Sequence, residues 1–147
     1  MEDNKTKLIE SRLGPREVRL DRLIRFPRGI IGFENLKEFT LLEIRSGAPL
    51  LVLQSVESPT LGLLVADPFA FVPGYSLNIS DEEQELLQAT SAEDLAVLVT
   101  ASIPPGEPEK TALNLLGPIV INHRSRLGVQ SPQPEGSRPA QFLVHMP

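Results

Sequence analysis

The chain has 147 residues, no cysteine, 41% AVILMFWYC side chains and a formal net charge of −5. That length supports one core burying roughly two-thirds of the unfolded surface, and the missing thiols exclude a disulfide framework, thiolate metal clusters and thiol catalysis. No apolar run approaches the roughly 20 residues of a membrane span, and the N-terminal MEDNKTKLIESR lacks the apolar stretch of a secretory signal, so a cytoplasmic protein with no membrane partner is expected.

Fourteen prolines are spread along the whole sequence and divide it into short segments. Apolar runs between them read as strands at Lys7–Leu13, Glu17–Leu20, Leu23–Phe26, Thr40–Ile44, Leu50–Gln54, Leu61–Ala66, Tyr75–Ile79, Leu95–Ile103, Thr111–Leu116, Ile119–Asn122 and Gln141–Met146. The separators are turn formers: Gly14-Pro15, Ser46-Gly47-Ala48-Pro49, Glu57-Ser58-Pro59, Pro73-Gly74 and Pro104-Pro105-Gly106. Helix is scarce. Asp81–Gln88 is the best candidate, with Ser80 as N-cap and Glu83 three residues on forming a capping box. Shorter helical turns are expected at Glu34–Phe39 and Ser91–Asp94. The pattern predicts a mainly β, single-domain antiparallel barrel-like fold with one or two short helices. Residues 1–130 form that domain; residues 131–147 are a polar, proline-rich segment, mobile over Ser131–Ala140, followed by a possible last strand.

Charge is unevenly distributed. Residues 1–28 carry eight Lys and Arg against five acids, whereas residues 29–100 carry two against eleven. An acidic surface repels nucleic acid and speeds association with a basic partner, although the simplest reading of the charge alone is a solvated face. Asp81, Glu82, Glu83 and Glu85 have a local purpose in the first turn of the predicted helix, where its dipole favours them. Arg16, Arg19, Arg22, Arg25 and Arg28 recur every three residues, a spacing that alternates faces on a strand and suits a basic edge better than a nucleic-acid groove. With no Trp and one Tyr there is little to stack on bases, and no direct nucleic-acid binding is expected.

Catalytic and ligand motifs are absent. His123 and His145 lie far apart, no phosphate-binding glycine loop or nucleophile elbow occurs, and no metal or cofactor is expected. What stands out are polar residues in apolar strands, namely Gln54, Asn114 and Asn122, together with Phe33, Phe69 and Phe71 in loop-like context. A buried amide must be hydrogen-bonded or it costs about 1 kcal/mol or more, so each amide is expected to tie a loop or strand end to the sheet. The alternative is that the amides face outward to receive a partner segment.

The set Phe26, Gly29-Ile30-Ile31-Gly32-Phe33-Glu34, Leu53-Gln54-Ser55, Asp67-Pro68-Phe69, Asn114-Leu115, Pro118-Ile119-Val120-Ile121-Asn122 and Gln130 resembles, in order and spacing, the FliW family of flagellar assembly factors over approximately residues 10–130. The resemblance implies a non-enzymatic, cofactor-free protein with two mutually exclusive partners, flagellin and the basic translational repressor CsrA. Bound to CsrA away from its RNA surface, such a protein relieves repression of flagellin mRNA; accumulated flagellin sequesters it again. A flagellin chaperone without CsrA control is the alternative, and a small-molecule barrel or an RNA-binding module are the rivals from other classes. Candidate partner contacts are Phe33, Glu34, Gln54, Ser55, Asp67, Pro68, Phe69 and Asn122. The polar segment at Ser131–Ala140 departs from the apolar strand expected there and puts the closure of the barrel in question.

Overall fold

The computed structural model describes residues 5–134, 136 and 139–144. β1 (Thr6–Ile9) and β2 (Arg16–Arg19) form a separate antiparallel ribbon, with Ile9 opposite Arg16. Because β2 pairs only with β1 among the described residues, Arg16 and Arg19 sit on an edge strand as expected, whereas Arg22 lies in a 3-10 turn, Arg25 on a strand paired on both sides and Arg28 in a turn, so the five do not share one edge.

The remaining strands are β3 (Ile24–Arg25), β4 (Glu38–Glu43), β5 (Leu51–Ser55), β6 (Gly62–Ala66), β7 (Leu95–Ser102), β8 (Ala112–Asn114), β9 (Ile119–Asn122), β10 (Leu127–Gln130) and β11 (Gln141–Leu143). They form one sheet in the order β11-β8-β7-β6-β5-β4-β3-β10-β9, and a further β7–β9 pairing, with Val97 opposite Val120, closes seven of them into a ring. Long β7 makes this possible by splitting its length: Leu95–Leu98 pairs with β9, Val99 and Thr100 with β6, and Ala101 and Ser102 with β8. The ring is not wholly antiparallel. β3 and β10 run parallel through one register pair, Leu127 with Arg25. Arg126, at φ +62°, accepts the Arg25 N–H at 2.9 Å and donates its guanidinium to the Arg22 carbonyl at 2.6 Å, which fastens this short seam.

Period-two alternation assigns the faces. Phe26, Phe39, Leu53, Val65, Leu98, Ile119 and Ile121 fill the interior, with Phe26 and Phe39 edge to face at 5.3 Å. Their neighbours on the same strands point outward and are covered too. Val52 and Leu42 pack under the β1–β2 ribbon against Ile9 and Val18, while Val120 and Val129 pack under α2 (Asp81–Leu87) against Leu87. A third outer cluster joins Val99, Leu113 and Leu115 to Tyr75 and Val144. Burial on both faces is why these strands read as continuous apolar runs.

Five readings of the sequence need correction. Tyr75–Ile79 is no strand: its alternate residues Tyr75, Leu77 and Ile79 do pack inward, but the segment lies across the barrel without a ladder of its own among the described residues. Glu34–Phe39 is not helical; Phe33 to Asn35 turn and β4 begins at Glu38, because Phe39 and Thr40 are both buried in the sheet. A one-turn helix, α1 (Pro68–Phe71), takes the place of a loop, and β10 was not anticipated. Asn114 is exposed rather than buried, its Oδ1 accepting the Leu116 N–H at 3.1 Å.

The expected mobility of Ser131–Ala140 and the end of the last run, His145–Met146, fall partly outside the described residues. Within them, Ser131 donates its N–H to the Pro118 carbonyl at 2.8 Å and its hydroxyl to Glu83 at 2.9 Å, and β11 pairs with β8, placing Phe142 opposite Leu113.

Candidate protein-binding site

Three of the predicted contact residues are buried. Gln54 has no exposed surface; its Oε1 accepts the Arg12 N–H at 3.0 Å, and its Nε2 donates to the carbonyls of Ser55, Ser58 and Pro59 at 3.0–3.3 Å. Ser55, equally buried, caps the same turn by accepting the N–H groups of Glu57 and Ser58. Asn122, 2% exposed, donates to the Leu87 carbonyl at 2.9 Å at the end of α2 and accepts the Arg124 N–H at 2.8 Å in the β9–β10 turn. Every polar group of these side chains is already used internally, so they shape the surface without forming it.

Phe33 and Glu34 are exposed, as is Ile31. They belong to a tight turn in which the Phe33 N–H bonds the Ile30 carbonyl at 2.7 Å and Gly32 adopts φ +90°, a conformation glycine takes without strain. Two side chains pin it. The Gln130 Oε1 accepts the Ile31 N–H at 2.9 Å while its Nε2 donates to the Gly117 carbonyl, and the Glu34 carboxylate accepts the Gly32 N–H at 3.0 Å. The backbone N–H groups of Gly32 and of Glu34 itself, aided weakly by Lys37, hold that carboxyl below its ordinary range against a small desolvation effect. Ile31 and Phe33, 59% and 41% exposed, are thus presented on a braced backbone with an ionised carboxylate beside them. Ile31 was missed in the sequence; a paired isoleucine between two glycines was the signal.

Asp67, Pro68 and Phe69 start α1. Asp67 Oδ1 accepts the Phe69 N–H at 2.9 Å as an N-cap and Pro68 occupies the first turn, buried. Phe69 remains 56% exposed with one edge against Tyr75, ring centroids 5.0 Å apart. It stands over a groove of about 440 Å³, lined on its apolar side by Leu77, Ile79, Leu95, Val97 and Val120. The Phe33 turn and the Phe69 helix belong to different parts of the surface lining, since neither Phe33 nor Glu34 borders this groove.

The capping box is formed as expected, with Ser80 Oγ accepting the Glu83 N–H at 3.1 Å and Glu83 Oε1 accepting the Ser80 N–H at 3.0 Å. Other acids of α2 face solvent: Glu82 meets Arg28 at 3.4 Å, and Asp81 and Glu85 have no cationic partner among the described residues. No group of His, Asp and Glu suited to a metal ion occurs among the described residues. No helix there is long and apolar enough to cross a membrane. The chemistry on offer is recognition, through exposed apolar side chains and fixed negative charge.

The profile of the FliW protein family matches residues 7–142. The flagellar assembly factor FliW of Nitratidesulfovibrio vulgaris is 56% identical over 138 residues, covering 94% of this chain and 80% of that protein. That of Desulfovibrio desulfuricans is 48% identical, covering 99% and 88%. A crystal structure of the flagellar assembly factor FliW superposes with a TM-score of 0.87 at 32% identity, covering 96% of this chain and 99% of that one.

Proposed function

The chain belongs to the FliW family of flagellar assembly factors, and from this premise we propose that it acts in the cytoplasm as a non-enzymatic switch, binding CsrA and flagellin in turn. Free of flagellin, it binds CsrA and relieves repression of flagellin mRNA; when unexported flagellin accumulates, flagellin takes it away from CsrA. The observation that carries this reading is the match across nearly the whole described chain, residues 7–142. Two surface features support it physically. The braced Ile31–Phe33 turn offers apolar anchors of the kind that dominate protein interfaces. The acidic middle of the chain suits a basic repressor, and placing negative charge beside an RNA-binding surface lowers its attraction for phosphate without filling it.

Of the sequence-based contacts, Phe33, Glu34, Asp67 and Phe69 keep this role in the proposal; Pro68 sets the helix that carries Phe69. The test is titration calorimetry of the protein against CsrA from the same organism at low and high salt, repeated with flagellin already bound. Binding that weakens with salt and disappears in the presence of flagellin is the expected result. Flagellin binding without CsrA binding would leave a chaperone and overturn the translational role.

A further inference from the structure

The groove beside Phe69 continues into a second hollow along α2. Gln84, Ala89 and Thr90 border both, so one depression runs from the apolar wall of Leu77, Leu95 and Val97 to the helix face made by Asp81, Gln84, Glu85 and Gln88. Asp81, Gln84 and Glu85 are spaced at i, i+3 and i+4 and therefore share one stripe of the helix, with Gln88, the left-handed residue that ends it, beside them. All four are exposed, and among the described residues no lysine or arginine lines either hollow. The depression is apolar at one end and negative at the other, with its two nearest carboxylates lacking a cationic partner among the described residues.

We infer that this depression is a docking groove for a basic amphipathic helical segment of a protein partner, with its apolar side chains against Phe69, Leu77 and Val97 and a Lys or Arg toward Asp81 and Glu85. The inference rests on the reading that the chain works through protein partners, and it adds a surface and the chemistry of the segment that fits it. Charge complementarity selects the occupant: an acidic or neutral segment would leave the two carboxylates uncompensated beside an apolar wall, whereas a basic one relieves them. Helix-in-groove recognition uses this combination of apolar anchors on one face and flanking charge. Phe69 has the place of an anchor, packed perpendicular to the Tyr75 ring and bordering the groove while 56% exposed.

The test uses a synthetic amphipathic helical peptide of leucine and lysine, with a leucine and glutamate counterpart, so that neither CsrA nor flagellin enters. Amide shifts in the full chain should move at Leu77, Ile79, Thr90 and Ala92, and added salt should weaken binding. Phe69→Ala should weaken the lysine peptide about tenfold, as a lost anchor does, and Asp81→Asn with Glu85→Gln about fivefold, as for two exposed charge pairs. Leu8→Ala, on a residue 68% exposed in β1, should change nothing. The glutamate peptide should not bind. No binding of the lysine peptide, shifts centred elsewhere, or equal affinity in both groove variants would overturn the inference, whatever the outcome with CsrA.

Discussion

Gly128 on β10 lies directly against the ring of Phe26: a Cβ at Gly128 would come within 2.6 Å of both Cε2 and Cζ. The glycine is required for space, since Phe26 is fully buried in the barrel and cannot retreat. Gly128→Ala should therefore cost about 1–3 kcal/mol in urea unfolding, the range for overpacking. Phe26→Leu, though destabilising alone, should relieve part of that cost when combined with it. Strictly additive costs in the double variant would show that the two residues do not compete for the same volume.

Gln54 joins three stretches of chain by its amide, the Arg12 N–H on one side and the carbonyls of Ser58 and Pro59 on the other. Gln54→Leu keeps the volume and removes every bond, leaving polar groups unpaired at about 1–3 kcal/mol in all. The damage should be local first: amide exchange at Arg12 should accelerate more than at Leu53. Uniform acceleration across the sheet would mean that Gln54 contributes to the barrel as a whole.

How far the sequence reached can be seen in these same residues. Gln54 and Asn122 read correctly as amides that tie loops to the sheet, because a polar side chain ending an apolar run has few other ways to be satisfied. Yet the family motif also made them candidate contacts, and motif membership does not separate a residue that builds a surface from one that is the surface. β10 escaped because Leu127–Gln130 is short and holds a glycine, normally a strand breaker, whose purpose appears only once the Phe26 ring is placed against it. Tyr75–Ile79 failed in the opposite direction: its alternation is real but it forms no strand ladder among the described residues, since period two reports which side chains are buried and says nothing of sheet registry. The groove beside Phe69 was out of reach for the same reason, being assembled from α1, that irregular segment, α2 and the outer face of β7.

Glu57 gives a pH prediction with a definite sign. Its Oε1 accepts the Glu38 N–H at 3.0 Å and the Lys37 N–H at 2.7 Å, and these bonds hold its carboxyl below the ordinary range, with minor help from Arg25 and Lys37 against slight desolvation. A pKa lowered on folding adds stability that is present above the unfolded-state value, about 4.3 for Glu, and is lost as pH falls through the native one. The stability gap between the native sequence and Glu57→Gln should accordingly be widest near neutrality and narrow below about pH 4. Because Glu57 is exposed, the gap should be small, and a gap that grows on acidification would reverse the assignment.

The turn at Ile31–Phe33 separates binding from stability. Both side chains are exposed, so Ile31→Ser and Phe33→Ser should leave the unfolding free energy within the ±0.5 kcal/mol usual for surface changes, while under the proposed function each should weaken binding of flagellin or of CsrA. Gln130→Ala makes the sharper experiment. It removes the bonds to Ile31 and Gly117 that brace the turn and leaves Ile31 and Phe33 themselves in place. A loosened turn must then be ordered on association, which costs affinity without removing a contact. Gly117→Ala should act the same way, because its Cβ would fall 2.8 Å from the Gln130 Nε2 and push the amide aside, cheaply since that is the free end of a flexible side chain. Calorimetry should thus find both bracing variants weaker, with a less favourable entropy and an unchanged interface. If they bind like the native chain while Phe33→Ser does not, the turn finds its shape without Gln130 and the brace serves only the fold.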